Sequence, residues 1–172
     1  GFTVEGWDQF RLGRVILLLA LAEQSEQVYT GTLEKLLGTA DLRERSAIYS
    51  SLPLLPRGEQ WVGMATEGLR SNIVDVFDSI ALGNPYPAKY FPDDAWNQMV
   101  LKALFIGRPV WRIVGIDGRV NPGLAESMSD LAHERWAAGR WVSPELWRSC
   151  QGQLSDQLVE DLHRLVESEQ PG

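Results

Sequence analysis

The stretch NPYPAKYFPDDAWNQMVLKALFIGRP, residues 84–109, decides the fold class. It packs Pro85, Pro87 and Pro92 into its first nine residues and then carries Trp96, Met99, Val100, Ala103 and Leu104 at steps of three and one. That spacing puts five apolar side chains on one face of a helix, predicted over 94–106 with Asp93 as its cap and Gly107 as its stop. Each proline fixes one backbone angle, so the preceding segment 84–92 is expected to be a stiff loop.

The helical period continues in both directions. Upstream, Val62, Ala65, Leu69, Ile73, Val76 and Ile80 recur every three or four residues between Glu59 and Leu82. One long helix fits that phase, but Ser71-Asn72 also suits a second helix start, and a break is expected near 69–71. Asp41, with Glu44 three residues on, forms a capping-box pattern that opens a helix ended by Pro53 and Pro56. A short helix over 32–38 stops at Gly38. A longer one over 8–28 buries a stripe of Leu12, Val15, Ile16, Leu19 and Ala22. Downstream, VWRIVGIDGRV (110–120) is expected to form one helical turn and then a loop. Asn121-Pro122 and Ser143-Pro144 are cap-plus-proline signatures that open helices near 122–138 and 144–151. Ser155 caps a last helix with Leu158, Val159, Leu162, Leu165 and Val166 on its apolar face, and the tail SEQPG is expected to fray.

The expected architecture is therefore all-α. About eight helices in antiparallel pairs would form a HEAT-like α-α superhelix or an orthogonal bundle, with SLPLLP (51–56) resembling a helical-repeat turn. No long polar linker interrupts the chain, so residues 1–172 are read as a single domain.

Composition narrows the function classes. The 172 residues carry a net charge of −7, which argues against a nucleic-acid partner, because such a surface needs clustered cations. The charge is uneven. Residues 84–123 hold five cations against three acids, a net of +2, which leaves −9 for the rest. Such a basic island suits an anionic group on a ligand or partner. With Cys150 as the single cysteine, a disulfide framework is excluded, and a reducing, cytoplasmic setting is expected. The longest apolar run, Val15–Ala22, is eight residues, against about 20 for a spanning helix. It follows no basic leader and is read as a buried helix rather than a signal peptide. The chain starts at Gly1, which fits a natural N-terminus extending further.

No metal or cofactor is expected. His133 and His163 lie on different helices, without ligand spacing. There is no G-x-S-x-G elbow and no glycine-rich phosphate loop. Cys150 reads as buried and inert. The best acid/base candidate is His133 in HERW (133–136), whose alternative role is to bond a neighbouring helix. Tyr86, Tyr90 and Trp96 flank Asn97, Lys102 and Arg108, the apolar walls and few polar anchors that a pocket for a flat molecule needs. A third reading makes these residues pure scaffold, with Trp96, Asn97 and Arg108 buried and mutually bonded.

The strings EGLRSNIVDVFDSIALGNPYPAKYF (67–91), DDAWNQMVLKALFIGRPVWRIVG (93–115), HERWAAGR (133–140) and PELWR (144–148) resemble the EboA family, over a signature spanning 53–148. The resemblance implies an all-helical, HEAT-like domain. It also implies a setting among clustered proteins, including a membrane prenyltransferase-like one, that handle secondary metabolites such as a scytonemin-type pigment precursor. The expected partners are a small aromatic or prenylated metabolite and proteins of the same cluster, with a peripheral place at the inner membrane through a partner. The family supplies no catalytic residues. Motif membership and chemistry together select Asn72, Asn84, Tyr86, Tyr90, Trp96, Asn97, Lys102, Arg108, His133 and Arg135 for ligand or partner binding, with His133 as the catalytic alternative.

Overall fold

The structure, a computed structural model, describes residues 4, 6–153 and 155–167. Every regular element among them is helical: α1 (Gln9–Leu21), α2 (Glu26–Thr39), α3 (Leu42–Ser51), α4 (Val62–Arg70), α5 (Val74–Ala81), α6 (Tyr86–Tyr90), α7 (Asp93–Phe105), α8 (Pro122–Ala137), α9 (Glu145–Arg148) and α10 (Asp156–Glu167). Short 3-10 turns fill several links, including Val110–Arg112 and Ile116–Gly118, where one helical turn and a loop were expected. The all-α expectation holds. The chain divides into two compact units, Gly1–Trp96 with Arg112–Val114, and Asn97–Trp111 with Gly115–Gly172. The division falls inside α7 rather than in a loop, so no linker marks it in the sequence.

In the first unit α3 lies against both α1 and α5. Its Asp41 accepts from the Glu44 backbone at 2.8 Å while Glu44 returns a bond to the Asp41 N–H at 3.0 Å, the capping box that the sequence predicts. Residues 46–51 are all buried. The break between α4 and α5 falls at 71–73, where the Ser71 hydroxyl accepts from the Ile73 N–H at 3.2 Å. Gly68 lets α4 come close to its neighbours, since a Cβ there would lie 2.6 Å from Tyr49 Cζ and 2.7 Å from Ile80 Cδ1. Burying side chains such as Phe77 and Ile80, both fully enclosed, stabilises this unit by roughly 2 kcal/mol each.

Three expectations need correction. The predicted helix over 8–28 ends at Leu21, because the polar run Glu23–Gln27 offers no apolar residue to continue its stripe. α2 then starts at Glu26 and runs through Gly38. On α1 the buried residues are Val15 and Leu18, whereas Leu12, Ile16 and Leu19 are 45%, 57% and 36% exposed. This helix is apolar on nearly every side, so periodicity alone could not select the face that packs. The stiff loop 84–92 contains the one-turn helix α6. Pro85 takes the N-cap and Pro87 the first helical turn, where a missing N–H costs nothing and the fixed angle is already helical, and Pro92 follows the helix. These differences bring the described helices to ten. The readings of Gly1, the SEQPG tail and the Leu165 side chain fall outside the described residues.

In the second unit α8 packs against α9 and α10. Asn121 caps α8 by accepting from the Leu124 N–H at 2.9 Å, and Pro122 takes the first helical position. Ser155 accepts from the Leu158 N–H at 3.2 Å and so caps α10. Met99, Val100, Ala103, Leu124, Met128 and Leu146 form the dry centre, each at most 1% exposed.

Candidate functional site

Two helix endings build the site. α7 stops at Gly107, which adopts φ 69°, and the Arg108 N–H reaches back to the Ala103 carbonyl at 2.7 Å. α8 stops at Gly139, with φ 63°, and the Arg140 N–H reaches the Arg135 carbonyl at 2.8 Å. Both are Schellman endings, in which a left-handed glycine lets the next residue satisfy a carbonyl left over by the last turn. The chain segments leaving these ends enclose a cleft of about 400 Å³. Its walls are Leu104, Phe105, Pro109, Leu131, Trp141 and Leu146, and its charged residues are Arg108, Arg135 and Glu145.

Two ties hold the rim. The Val110 N–H donates to Glu145 Oε2 at 2.6 Å, joining the segment after α7 to the start of α9. The Arg135 Nε–H donates to the Trp141 carbonyl at 2.8 Å and anchors the segment after α8. Phe105 and Trp141 remain 71% and 51% exposed. Large aromatic side chains left in water at the mouth of a cleft are available to cover a ligand.

Of the ten residues selected from sequence, the structure brings Arg108 and Arg135 together in this cleft. Asn72 is exposed in the link between α4 and α5, and Lys102 is half-buried on α7. Asn97 exchanges two amide hydrogen bonds with Asn121, at 3.0 and 2.8 Å. Trp96 is fully buried. Asn84 is 3% exposed, and its amide bonds the carbonyls of Tyr49 and Ser79 and the N–H of Tyr86. The buried Tyr86 hydroxyl donates to the Gly58 carbonyl at 2.6 Å, and burial, reinforced by Tyr90 and Glu59, pushes its phenol pKa up. Tyr90 is half-buried, its ring 4.9 Å from that of Tyr86 and pressed against Gly58.

His133 belongs to a different cluster. Its Nε2 lies 2.5 Å from Oδ1 of Asp161, a carboxylate 3% exposed on α10. Ser129 donates to the other carboxylate oxygen at 2.7 Å, and Gln157 adds a bond at 3.3 Å. Burial pushes the Asp161 pKa up, but the bonds from His133, Ser129 and Gln157 outweigh it and leave the carboxyl below its usual range. Serine and histidine both address the acid here, whereas a nucleophilic serine would address the imidazole. The cluster works geometrically as a clasp between α8 and α10. Beside it the Trp136 ring stacks on Trp147 at 6.0 Å, with the Arg164 guanidinium 4.6 Å from its centroid.

Sequence reasoning missed Phe105, Trp141, Glu145 and Asp161. The first two were legible only as aromatics of no assigned side. Asp161 looks like one more solvated carboxylate of an amphipathic helix until its partners 28 and 32 residues upstream are known. Among the described residues no group of three or more His, Cys, Asp or Glu side chains is placed to hold a metal ion. Among the same residues, no helix is long and apolar enough to cross a membrane.

The family model described as metabolite traffic protein EboA matches residues 1–151. No curated protein and no solved structure gives a significant match. The matched stretch takes in both helix endings and every residue lining the cleft, and leaves out α10. The chain belongs to the EboA family of metabolite traffic proteins.

Proposed function

We propose that this protein is a non-catalytic helical binding or adaptor module, 1–172 acting as one domain, that holds a pathway metabolite in the cleft between the ends of α7 and α8. The observation that carries the reading is the cleft itself: Phe105 and Trp141 exposed at its mouth, beside two arginines on a well-tied frame. The metabolite-traffic name of the family supports the same direction. Proteins of the same gene cluster, including the membrane prenyltransferase-like one, are the proposed donors or acceptors of the cargo. The place of action is cytoplasmic, peripheral to the inner membrane through such a partner. The exposed apolar residues of α1 suit partner docking.

Native mass spectrometry of the protein purified from cells that make the pathway's metabolite tests the reading. A small-molecule adduct is expected on the wild type and should be lost from Trp141→Ala. An adduct on neither protein, or the same adduct on both, sinks it.

A second reading makes His133 an acid/base acting on an aromatic metabolite. The observation favouring it is the short bond to a buried carboxylate, an arrangement that can orient an imidazole. It expects a turnover product that disappears in His133→Gln while Trp141→Ala still binds nothing. Substrate recovered unchanged from wild-type incubations removes it.

A further inference from the structure

We infer a second ligand site, in the first unit: a cleft of about 610 Å³ between α2, α3 and α4 that takes a compact apolar molecule with one carboxylate. It is separate from the cleft at the ends of α7 and α8 and does not depend on it. Every residue lining it belongs to the first unit. Buried Tyr49, Trp61 and Val76 form its floor, and Leu37 and Met64 add half-buried apolar wall. A cleft of this size with an apolar floor suits the body of a small organic guest.

The charged side chains of the lining are Glu34, Arg45, Glu67 and Arg70. Arg70 and Glu67 neutralise each other at 2.8 Å. Arg45 is half-buried and has no carboxylate partner among the described residues. Its Nη2 reaches the Ala40 carbonyl at 3.5 Å, the long limit of a hydrogen bond, and its Nε is shut away from water with no acceptor. A guanidinium that has lost part of its hydration for one weak bond gains more from an incoming carboxylate than a fully hydrated one. Glu34 is exposed in the same lining, without an ionic partner among the described residues. It limits the charge of the guest, because the second negative charge of a phosphate monoester would meet it. One carboxylate satisfies Arg45 with the least repulsion.

Three dyes with one ring system test the claim. Dansylglycine carries one carboxylate, dansylamide none, and the phosphate monoester of dansylethanolamine about two negative charges. Fluorescence titrations at neutral pH should show dansylglycine bound at least about tenfold more tightly than dansylamide, the worth of one charge-assisted hydrogen bond. The phosphate dye should also bind more weakly than dansylglycine. Arg45→Gln should bring dansylglycine down to the affinity of dansylamide and leave dansylamide unchanged. Glu34→Gln, an exposed substitution that leaves the packing alone, should tighten the phosphate dye. Met64→Trp, which fills the cleft, should weaken all three, and Trp141→Ala should change none. No dansylglycine binding, equal affinities for dansylglycine and dansylamide, or a preference that survives Arg45→Gln overturns the inference. A phosphate dye unmoved by Glu34→Gln overturns the choice of a carboxylate. Dansylglycine lost with Trp141→Ala and kept with Arg45→Gln assigns the acid to the cleft of α7 and α8, which removes this site and leaves the proposed function standing.

Discussion

Replacing Asn84 should cost stability without touching ligand binding, and the size of the loss follows from the three buried bonds its amide makes. Near the end of α3 residue 53 is a proline without an N–H, so the Tyr49 carbonyl accepts from the Leu52 N–H instead. Near the end of α5 the Ser79 carbonyl would be served by Gly83, whose N–H goes to the Arg112 carbonyl at 2.8 Å instead. The Asn84 amide stands in at the Ser79 carbonyl, at 2.9 Å, adds a second donor to the Tyr49 carbonyl at 3.1 Å, and its oxygen accepts from the Tyr86 N–H at 2.9 Å. Three bonds at about 1 kcal/mol each, in a site with almost no access to water, predict a loss of roughly 3 kcal/mol in Asn84→Ala. With a urea dependence of about 2 kcal/mol per molar, the unfolding midpoint should fall by about 1.5 M. Asn84→Asp should be worse at neutral pH, because a carboxylate oxygen would face the two carbonyls, and should recover in part when acid protonates it. The assay is urea unfolding by circular dichroism at pH 7 and pH 4, beside a dye titration. An Asn84→Ala protein within about 0.5 kcal/mol of the wild type, with dye binding lost, would refute this reasoning and return Asn84 to the binding surface.

Gly58→Ala would drive a Cβ into the Tyr90 ring, 2.7 Å from its hydroxyl oxygen. Overpacking of this kind costs about 1–3 kcal/mol, and thermal melts of the Gly58→Ala, Tyr90→Ala double variant should recover most of it. Asp161 has a folded pKa below its unfolded value, so its contribution is complete above about pH 4 and fades as acid titrates the folded carboxylate. The slope of stability against pH below 4 should flatten in Asp161→Asn, and an unchanged slope would show that other carboxylates govern acid unfolding. Burial, with the nearby Asp161 charge, pushes the Cys150 thiol up to about 11. Ellman's reagent at pH 8 should therefore label denatured protein at once and native protein only at the rate of opening. Immediate labelling of the native protein would mean that Cys150 is accessible.

The helix class and most boundaries could be read because they rest on local signals: the Asp41–Glu44 box, the Asn121 cap, the glycine stops at 107 and 139 and the break at 71–73. Local signals failed where the deciding partner is distant. α1 is apolar all round, and only contact with α3 selects Val15 and Leu18 as its buried face. At the site, Arg108 and Arg135 were found because the motif strings contain them. Trp141 and Glu145 were missed because their roles come from ties to Arg135 and Val110, across segments that the sequence does not join. Asn84 shows the opposite failure: a polar residue in an unusual motif looked like recognition chemistry, yet it supplies the donor missing near the end of α5 and ties that end to α3.

The two glycine-terminated helices bear on how this cleft could change over evolutionary time. At the end of α7 the backbone conformation is fixed by Gly107 and by the peptide N–H of residue 108. The hydrogen bond that closes the helix therefore asks nothing of the side chain at 108. A substitution at 108 changes the charge that lines the cleft while leaving this helix-closing bond in place. Related chains could thus diverge in cargo by single substitutions at that position, with no insertion or deletion in the helix ending itself.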